Sequence, residues 1–370
     1  MRLPKFSRYS IRRFVFYTRR AIWIIVAWWL ISNVLFFYEY FTLINKGVLS
    51  SSYDFKSAFT ANSIASVIAG ILGGVITVNL MERWLRMHEF WKALLYIVLV
   101  YVATALLVST VGALYLKSDD LGLPVYHPDV VSSLTAFFGS WLFIKNFIIW
   151  LFIVIGTLIV LMVNDKFGPG VFPDYLMGRY FMPKRERRIF MFADIKDATG
   201  IAERLGEKKY FNFLKDFFRD IAPAIVQTRG EVYQYVGDEI VVSWKMKWGL
   251  KNANALLCFY SMKYIMAYKK GRYLKKYDVY PEFKVGYHCG TVMVGEIGQI
   301  KREIAFSGDV LNTASRIQSM CNELNVEILA SKEFANIAYK LPKGVKKVEL
   351  GEEKLKGKQS EISLVTYERI

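Results

Sequence analysis

Cysteine, histidine and acid are the scarce residues of this 370-residue chain, which holds three cysteines and three histidines. Cys258, Cys289 and Cys321 show neither the spacing of a zinc site nor a disulfide framework, which predicts a reducing, cytosolic setting for their half of the chain. His88 and His127 are too few and too far apart to frame a haem or metal site, and His288 lies inside an apolar run, where it reads as a packed strand residue. Acids number 32 against 49 lysines and arginines, a formal charge of +17. That balance suits nucleic acid, anionic lipid or phosphorylated substrates. No nucleic-acid motif or aromatic platform accompanies the lysine run at 269–276, so no nucleic-acid partner is expected and the run reads as a solvated helix end. Residues 1–20 hold seven basic residues and no acid, and no small-residue cleavage site follows the next apolar run, which excludes a cleaved signal peptide.

What the chain has in excess is apolar surface: 54% of residues are hydrophobic, and the excess is concentrated before residue 167. Ala21–Ile44, Phe59–Leu80, Trp91–Leu116 and Trp141–Val163 are each long enough to cross a hydrocarbon core of about 30 Å. Val125–Phe138 is shorter and reads as an interfacial or extracytoplasmic segment. The expected organisation is a basic N-terminus (1–20), a four-helix transmembrane domain (21–166), a connector (167–187) and a soluble α/β domain (188–370). Basic residues cluster at the N-terminus, between spans two and three and after span four. The positive-inside rule therefore predicts a multi-pass protein of the cytoplasmic membrane with both termini cytoplasmic. Ser66, Gly70 and Gly74 share one face of span two, which suits close packing either within the chain or between copies. Lys145 is expected to snorkel to the outer interface. The connector is either a tether or the route of a signal from an unknown membrane-domain ligand.

In the soluble half, the apolar runs ending in acids carry the chemistry. Arg188–Ile195 reads as a strand that ends at Asp194; Glu231–Val236 and Glu239–Trp244 read as a hairpin turning at Gly237–Asp238. Adjacent strands would place Asp194 and Asp238 together, and two carboxylates there suit hard divalent cations. Thr199–Leu205, Lys208–Gln227 and Leu250–Tyr268 read as helices. Phe283–Cys289 and Thr291–Ile297 read as strands separated by Gly290, and Asp309 is expected to cap a helix over Val310–Met320. Asn312 and Arg316, four apart, share one face of that helix, an amide and a guanidinium suited to a ribose and a developing phosphate charge. Further strands are expected near Val326–Ala330, Val345–Leu350 and Ile362–Glu368. The order describes a ferredoxin-like α/β sandwich.

Taken together, Phe192-Ala-Asp-Ile195, Val236-Gly-Asp-Glu239, Val285-Gly-Tyr-His-Cys-Gly290, Gly295-Glu-Ile-Gly298, Ser307–Arg316 and Leu355-Lys-Gly-Lys358 resemble a class III nucleotide cyclase domain, from about Arg188 to Ile370. The four apolar spans ahead of it resemble the membrane-anchored bacterial members. The resemblance implies that Asp194, Asp238 and the Ile195 carbonyl hold two Mg²⁺ or Mn²⁺ ions per site. It implies that backbone groups at Asp197, Ala198 and Thr199 hold phosphates, with Lys356 reaching them or Lys358 in its place. Asn312 would orient the ribose, and Arg316 would stabilise the α-phosphoryl transition state. It further implies a homodimer with shared sites, acting on ATP to make cyclic AMP and pyrophosphate, or alternatively on GTP. The base-reading positions are Gln234 and Ala305, which match neither the Lys/Asp pair of animal adenylate cyclases nor the Glu/Cys pair of guanylate cyclases. The expected Gly-Phe-Thr is Asp197-Ala-Thr199. Two other readings compete. A diguanylate cyclase lacks the Asn312/Arg316 helix motif, and a receptor with a non-catalytic domain usually loses one of Asp194, Asp238, Asn312 and Arg316.

Overall fold

The computed structural model describes residues 6–49, 53–83, 89–167, 174, 177–300, 302–355 and 361–370. The chain divides into two compact units, Met1–Lys166 and Phe167–Ile370.

The first unit consists of helices α1 (Phe6–Asn45), α2 (Phe55–Arg83), α3 (Phe90–Leu121), α4 (Pro128–Phe138) and α5 (Trp141–Phe167). Four of them are long and apolar enough to cross a membrane, over Ala21–Asn45, Phe55–Gly74, Leu94–Tyr115 and Phe143–Val163. The basic segment after Lys5 continues the first span as one helix. Large apolar side chains such as Trp23, Leu107 and Phe152 face outward. Helices satisfy their own backbone groups, so such a surface is stable in lipid. The small-residue face of α2 is used inside the chain. A Cβ on Gly70 would stand 3.0 Å from Ile25 Cα, and one on Gly73 2.5 Å from the Trp28 ring. Hydrogen bonds from Ser32 to Asn62 and from Ser63 to Asn33 join the same two helices. Lys145 does not snorkel alone; its ammonium pairs with Glu39 of α1, a partner 106 positions away that no local pattern reveals.

The second unit is a mixed sheet of β1 (Lys184–Ile195), β2 (Glu231–Val236), β3 (Glu239–Lys245), β4 (Phe283–Ile297), β5 (Glu303–Ser307), β6 (Ile328–Ser331), β7 (Val345–Lys354) and β8 (Glu361–Arg369). The strand order is β2-β3-β1-β4-β6-β8-β7, with β5 hairpinned onto β4. Its helices are α6 (Ala198–Leu205), α7 (Glu207–Gln227), α8 (Met246–Leu250), α9 (Asn254–Tyr277), α10 (Asp309–Ser319) and α11 (Lys332–Ile337). Strand β1 is central and buried on both faces, as a near-continuous apolar run requires. Phe190 and Phe192 pack with Val292 and Val294 under Val310 and Ala314 of α10. On the opposite face, the Tyr287 hydroxyl reaches Met191 and donates to the Ala255 carbonyl of α9.

Several sequence expectations are corrected. Strand β1 starts at Lys184, so four connector residues belong to the sheet. Gly290 does not end a strand: β4 runs unbroken for 15 residues. Gly286 and Gly290 face α10, where a Cβ on Gly290 would meet Val310 at 2.6 Å. The glycine signal came from close packing, not from a turn. Asp309 is the first helical residue rather than the cap, and its carboxylate accepts from the Thr313 hydroxyl. The lysine run at 269–276 belongs to α9 and is not simply solvated. Lys269 pairs with Asp220, and Arg272 and Lys276 pair with Asp216; both acids are buried on α7. Burial raises the Asp216 pKa, but hydrogen bonds from Lys276 and Tyr277 and the Arg219 charge outweigh it and hold the carboxyl down to about 2.

Candidate active site

Three strand ends meet at one edge of the central sheet. Strand β1 delivers Asp194 between Glu239 of β3 and Lys284 of β4, each in direct register with it. The β2–β3 turn is made by Gly237 at φ 61, in the left-handed region that a side chain resists. That turn sets Asp238 beside Asp194, whose carboxyl helps to raise its pKa, so the two acids expected to meet do so.

The pair is electrostatically loaded. Burial and the neighbouring Asp194 carboxyl push Asp238 up to about 6, against the pull of Lys284. Burial, Asp194 and Asp238 push Glu239 up to about 7. Like charges this close disfavour joint ionisation. Two basic or polar groups answer them. Lys284, with an 8% exposed side chain, places its ammonium 3.4 Å from Asp194 Oδ2. Gln318 of α10 donates from Nε2 to the same oxygen at 3.2 Å. Sequence reasoning missed both. A lysine inside the apolar run Phe283-Lys-Val-Gly-Tyr287 was a usable signal, because lysine is almost never fully buried without a partner.

The site offers two carboxylate oxygen donors, Asp194 and Asp238, and the Ile195 carbonyl follows directly on the strand. Among the described residues no group of three His, Cys, Asp or Glu side chains comes together. Two carboxylates with open positions nevertheless suit Mg²⁺ or Mn²⁺, which keep water and substrate oxygens in their shell. The residues therefore fit the ions implied by the sequence.

Helix α10 splits the remaining kit. Its inner face, with Val310, Thr313, Ala314, Ile317 and Gln318, is buried. Asn312 is exposed and Arg316 partly so. Two residues correspond to about 200° of helix, so Arg316 points away from the face on which Gln318 holds Asp194. Within one chain, the carboxylates and the Asn312/Arg316 pair are on opposite sides of the same helix.

The other expected positions are dispersed around this frame. Asp197 takes φ 52 ahead of α6, with its carboxylate packed over Gly200; Ala198 and Thr199 open the helix and leave its first N–H groups without intrahelical partners. Gln234 follows a bulge in β2, and Ala305 pairs with Gly295 on β4. Their neighbours Tyr233 and Phe306 meet edge-to-face at 4.9 Å. Lys356 lies outside the described residues; Leu355 before it is fully buried with Ile317 of α10. His288 bonds Ser331 at 2.7 Å, as a packed strand residue. The three cysteines are free and buried, and burial pushes their thiols up to about 11 or 12, so none is a ready nucleophile.

Residues 182–367, half of the chain, match the family model described as the adenylate and guanylate cyclase catalytic domain. The chain is 30% identical over 207 residues to "Adenylate cyclase 2" of Rhizobium meliloti (strain 1021), covering 56% of this chain and 57% of that protein. It is 25% identical over 150 residues to "Adenylate cyclase 1" of the same organism, covering 40% of this chain and 23% of that one. The chain thus spans only part of the length of these relatives. Its structure overlays on the adenylyl cyclase CyaB from P. aeruginosa with a TM-score of 0.46 at 18% identity, over 51% of this chain and 97% of that one. The chain belongs to the class III adenylate and guanylate cyclase family, with four apolar helices ahead of one C-terminal cyclase domain.

Proposed function

We propose that the chain is a membrane-anchored adenylate cyclase that works as a homodimer with two shared sites. The observation that carries this reading is the split across α10: Asp194 and Asp238 on one side, Asn312 and Arg316 on the other. A two-fold partner supplies what each half lacks, and an isologous interface gives two equivalent sites. The tip of the β2–β3 hairpin exposes Tyr235 and Val236 beside Asp238, apolar side chains that a second copy would cover.

Asp194, Asp238 and the Ile195 carbonyl hold the metal ions, two per site. When bound, the ions lower the pKa of the ribose 3′-hydroxyl and screen the triphosphate. Lys284 and Gln318 fix the Asp194 carboxylate. The N–H groups at Asp197–Thr199 hold phosphate oxygens at the start of α6. Asn312 from the partner orients the ribose. Arg316 meets the charge that grows on the α-phosphoryl group as the 3′-oxygen attacks and pyrophosphate leaves. Gln234 can donate to or accept from either purine. The adenylate cyclase names of these two relatives support ATP. Both termini are cytoplasmic in this reading, so product enters the cytoplasm. The test is incubation of the purified full-length protein with Mn²⁺ and, separately, ATP and GTP, with products separated by chromatography. A 3′,5′-cyclic product from ATP is expected. Product from GTP alone overturns the base assignment, and no cyclic product from either overturns the reaction.

A further inference from the structure

The incoming end of the sheet carries a second charged surface, unconnected with the reacting carboxylates. Strand register fixes its place: Arg188 pairs with Lys245, whereas Asp194 pairs with Glu239. Six residues of β1 separate the two ends, about 20 Å along the strand. At the incoming end, β3 runs into Lys245-Met-Lys-Trp-Gly-Leu-Lys251, which contains no acid. Trp248 is ringed by cations. The Arg229 guanidinium lies 4.0 Å from its centroid, and the ammoniums of Lys247 and Lys251 lie 5.5 and 5.6 Å away. All three cations are exposed, while the indole is half-buried. Helix α8 is held tightly to the sheet, since a Cβ on Gly249 would stand 2.7 Å from Ile189 Cδ1. The patch is therefore a fixed surface rather than a floppy loop.

Its position along the chain says what it meets. Lys245 places its ammonium 3.7 Å from Asp174, which also pairs with Arg179 at 3.0 Å. Asp174 is seven residues beyond Phe167, the end of α5, so this surface is tied to a residue that follows soon after the last span in sequence. Beside the start of β1, Phe181 and Met182 are 67% and 73% exposed. Exposed cations around a half-buried tryptophan, with apolar side chains exposed ahead of β1, match the chemistry of a bilayer interface.

We propose that the Arg229/Lys247/Trp248/Lys251 surface docks on the anionic lipid headgroups of a bilayer. Lys and Arg near an anionic leaflet are attracted within a Debye length, and the indole seats at the headgroup level. The proposal needs the four helices to span a bilayer but makes no use of nucleotide, so it stands or fails apart from the catalytic reading.

The test is hydrogen exchange on the full-length protein in nanodiscs of phosphatidylcholine alone and of phosphatidylcholine with about 30% phosphatidylserine. Amides of residues 245–253 should exchange about fivefold more slowly in the anionic discs, residues 236–240 should not change, and about 0.5 M NaCl should remove the difference. Lys247→Glu with Lys251→Glu should abolish it while exchange in neutral discs stays at the wild-type rate. If the double variant does not fold, the salt series on the wild type decides. Equal exchange in the two compositions overturns the proposal, whether both are slow, as a protein or nucleic-acid partner would make them, or both fast. Equal slowing of both segments overturns it too.

Discussion

Gly286 is the residue on which the geometry of the site is most exposed to test. It lies on the α10 side of β4, opposite Phe192. A Cβ there would stand 2.3 Å from the Gln318 backbone nitrogen and 2.6 Å from its Cα. Backbone cannot rotate aside, and ordinary contact begins near 3.4 Å, so Gly286→Ala must lift α10 by about 1 Å. Overpacking of this kind costs about 2 kcal/mol, or about 4–8 °C in the unfolding midpoint for a domain of this size. The same shift moves Gln318 off Asp194 and carries Asn312 and Arg316 with it. Misplacement by about 1 Å lowers rates by about 10²-fold. Gly290→Ala is the control, because its Cβ would meet Val310 Cγ2 at 2.6 Å and nothing else closer than 3.7 Å. That side chain can turn at a cost of about 1 kcal/mol. The assay is cyclic-nucleotide formation with Mn²⁺ beside the unfolding midpoint of each full-length variant. Gly286→Ala with a wild-type rate and midpoint, or both variants equally impaired, would refute the reasoning.

Three more outcomes are expected. Arg188 is 1% exposed, donates to Glu186 and Glu231 and stacks on Phe306; Arg188→Met should destabilise the domain by about 3 kcal/mol, because two partly buried acids lose their partner, and a midpoint shift under 2 °C (below about 1 kcal/mol) would exclude that role. Burial and neighbouring acids push Asp238 up to about 6 and Glu239 up to about 7. Protons must leave for a cation to bind, so Mn²⁺ affinity measured by calorimetry should fall about tenfold per pH unit below 6. The raised folded-state values also mean that stability without metal should fall as pH rises from about 4 to 7; a pH-independent affinity would refute the electrostatic account. Gln234→Lys combined with Ala305→Asp should shift the ATP-to-GTP ratio of kcat/KM towards ATP by about tenfold or more, by adding a donor and an acceptor for the adenine edge; an unmoved ratio would show that these positions do not read the base.

The parts of this fold legible in the sequence were those written in local pattern. Unbroken apolar runs predicted the four spans, and acids ending apolar strands predicted that Asp194 and Asp238 would meet. Spacing of four put Asn312 and Arg316 on one helix face. What stayed hidden depended on partners far along the chain. The lysines of α9 looked solvated because Asp216 and Asp220 sit on another helix. Gly290 looked like a turn because close packing and turning use the same residue. Strand β5 is five residues long and only partly buried, with no alternating pattern strong enough to announce it. Gln318, two positions from Arg316, was overlooked because a buried amide on a helix reads as ordinary polarity until its acceptor is known.

The division of labour across α10 is the central claim, and mixed dimers test it most directly. Asp194→Ala and Arg316→Ala, each purified alone, should form no cyclic nucleotide. Co-expressed with different affinity tags and purified through both, they should regain up to about half of the wild-type rate, because one of the two sites then keeps both residues. A silent mixed dimer, with both variants folded and associated, would contradict the shared site. Activity in either variant alone would contradict the roles given to Asp194 and Arg316.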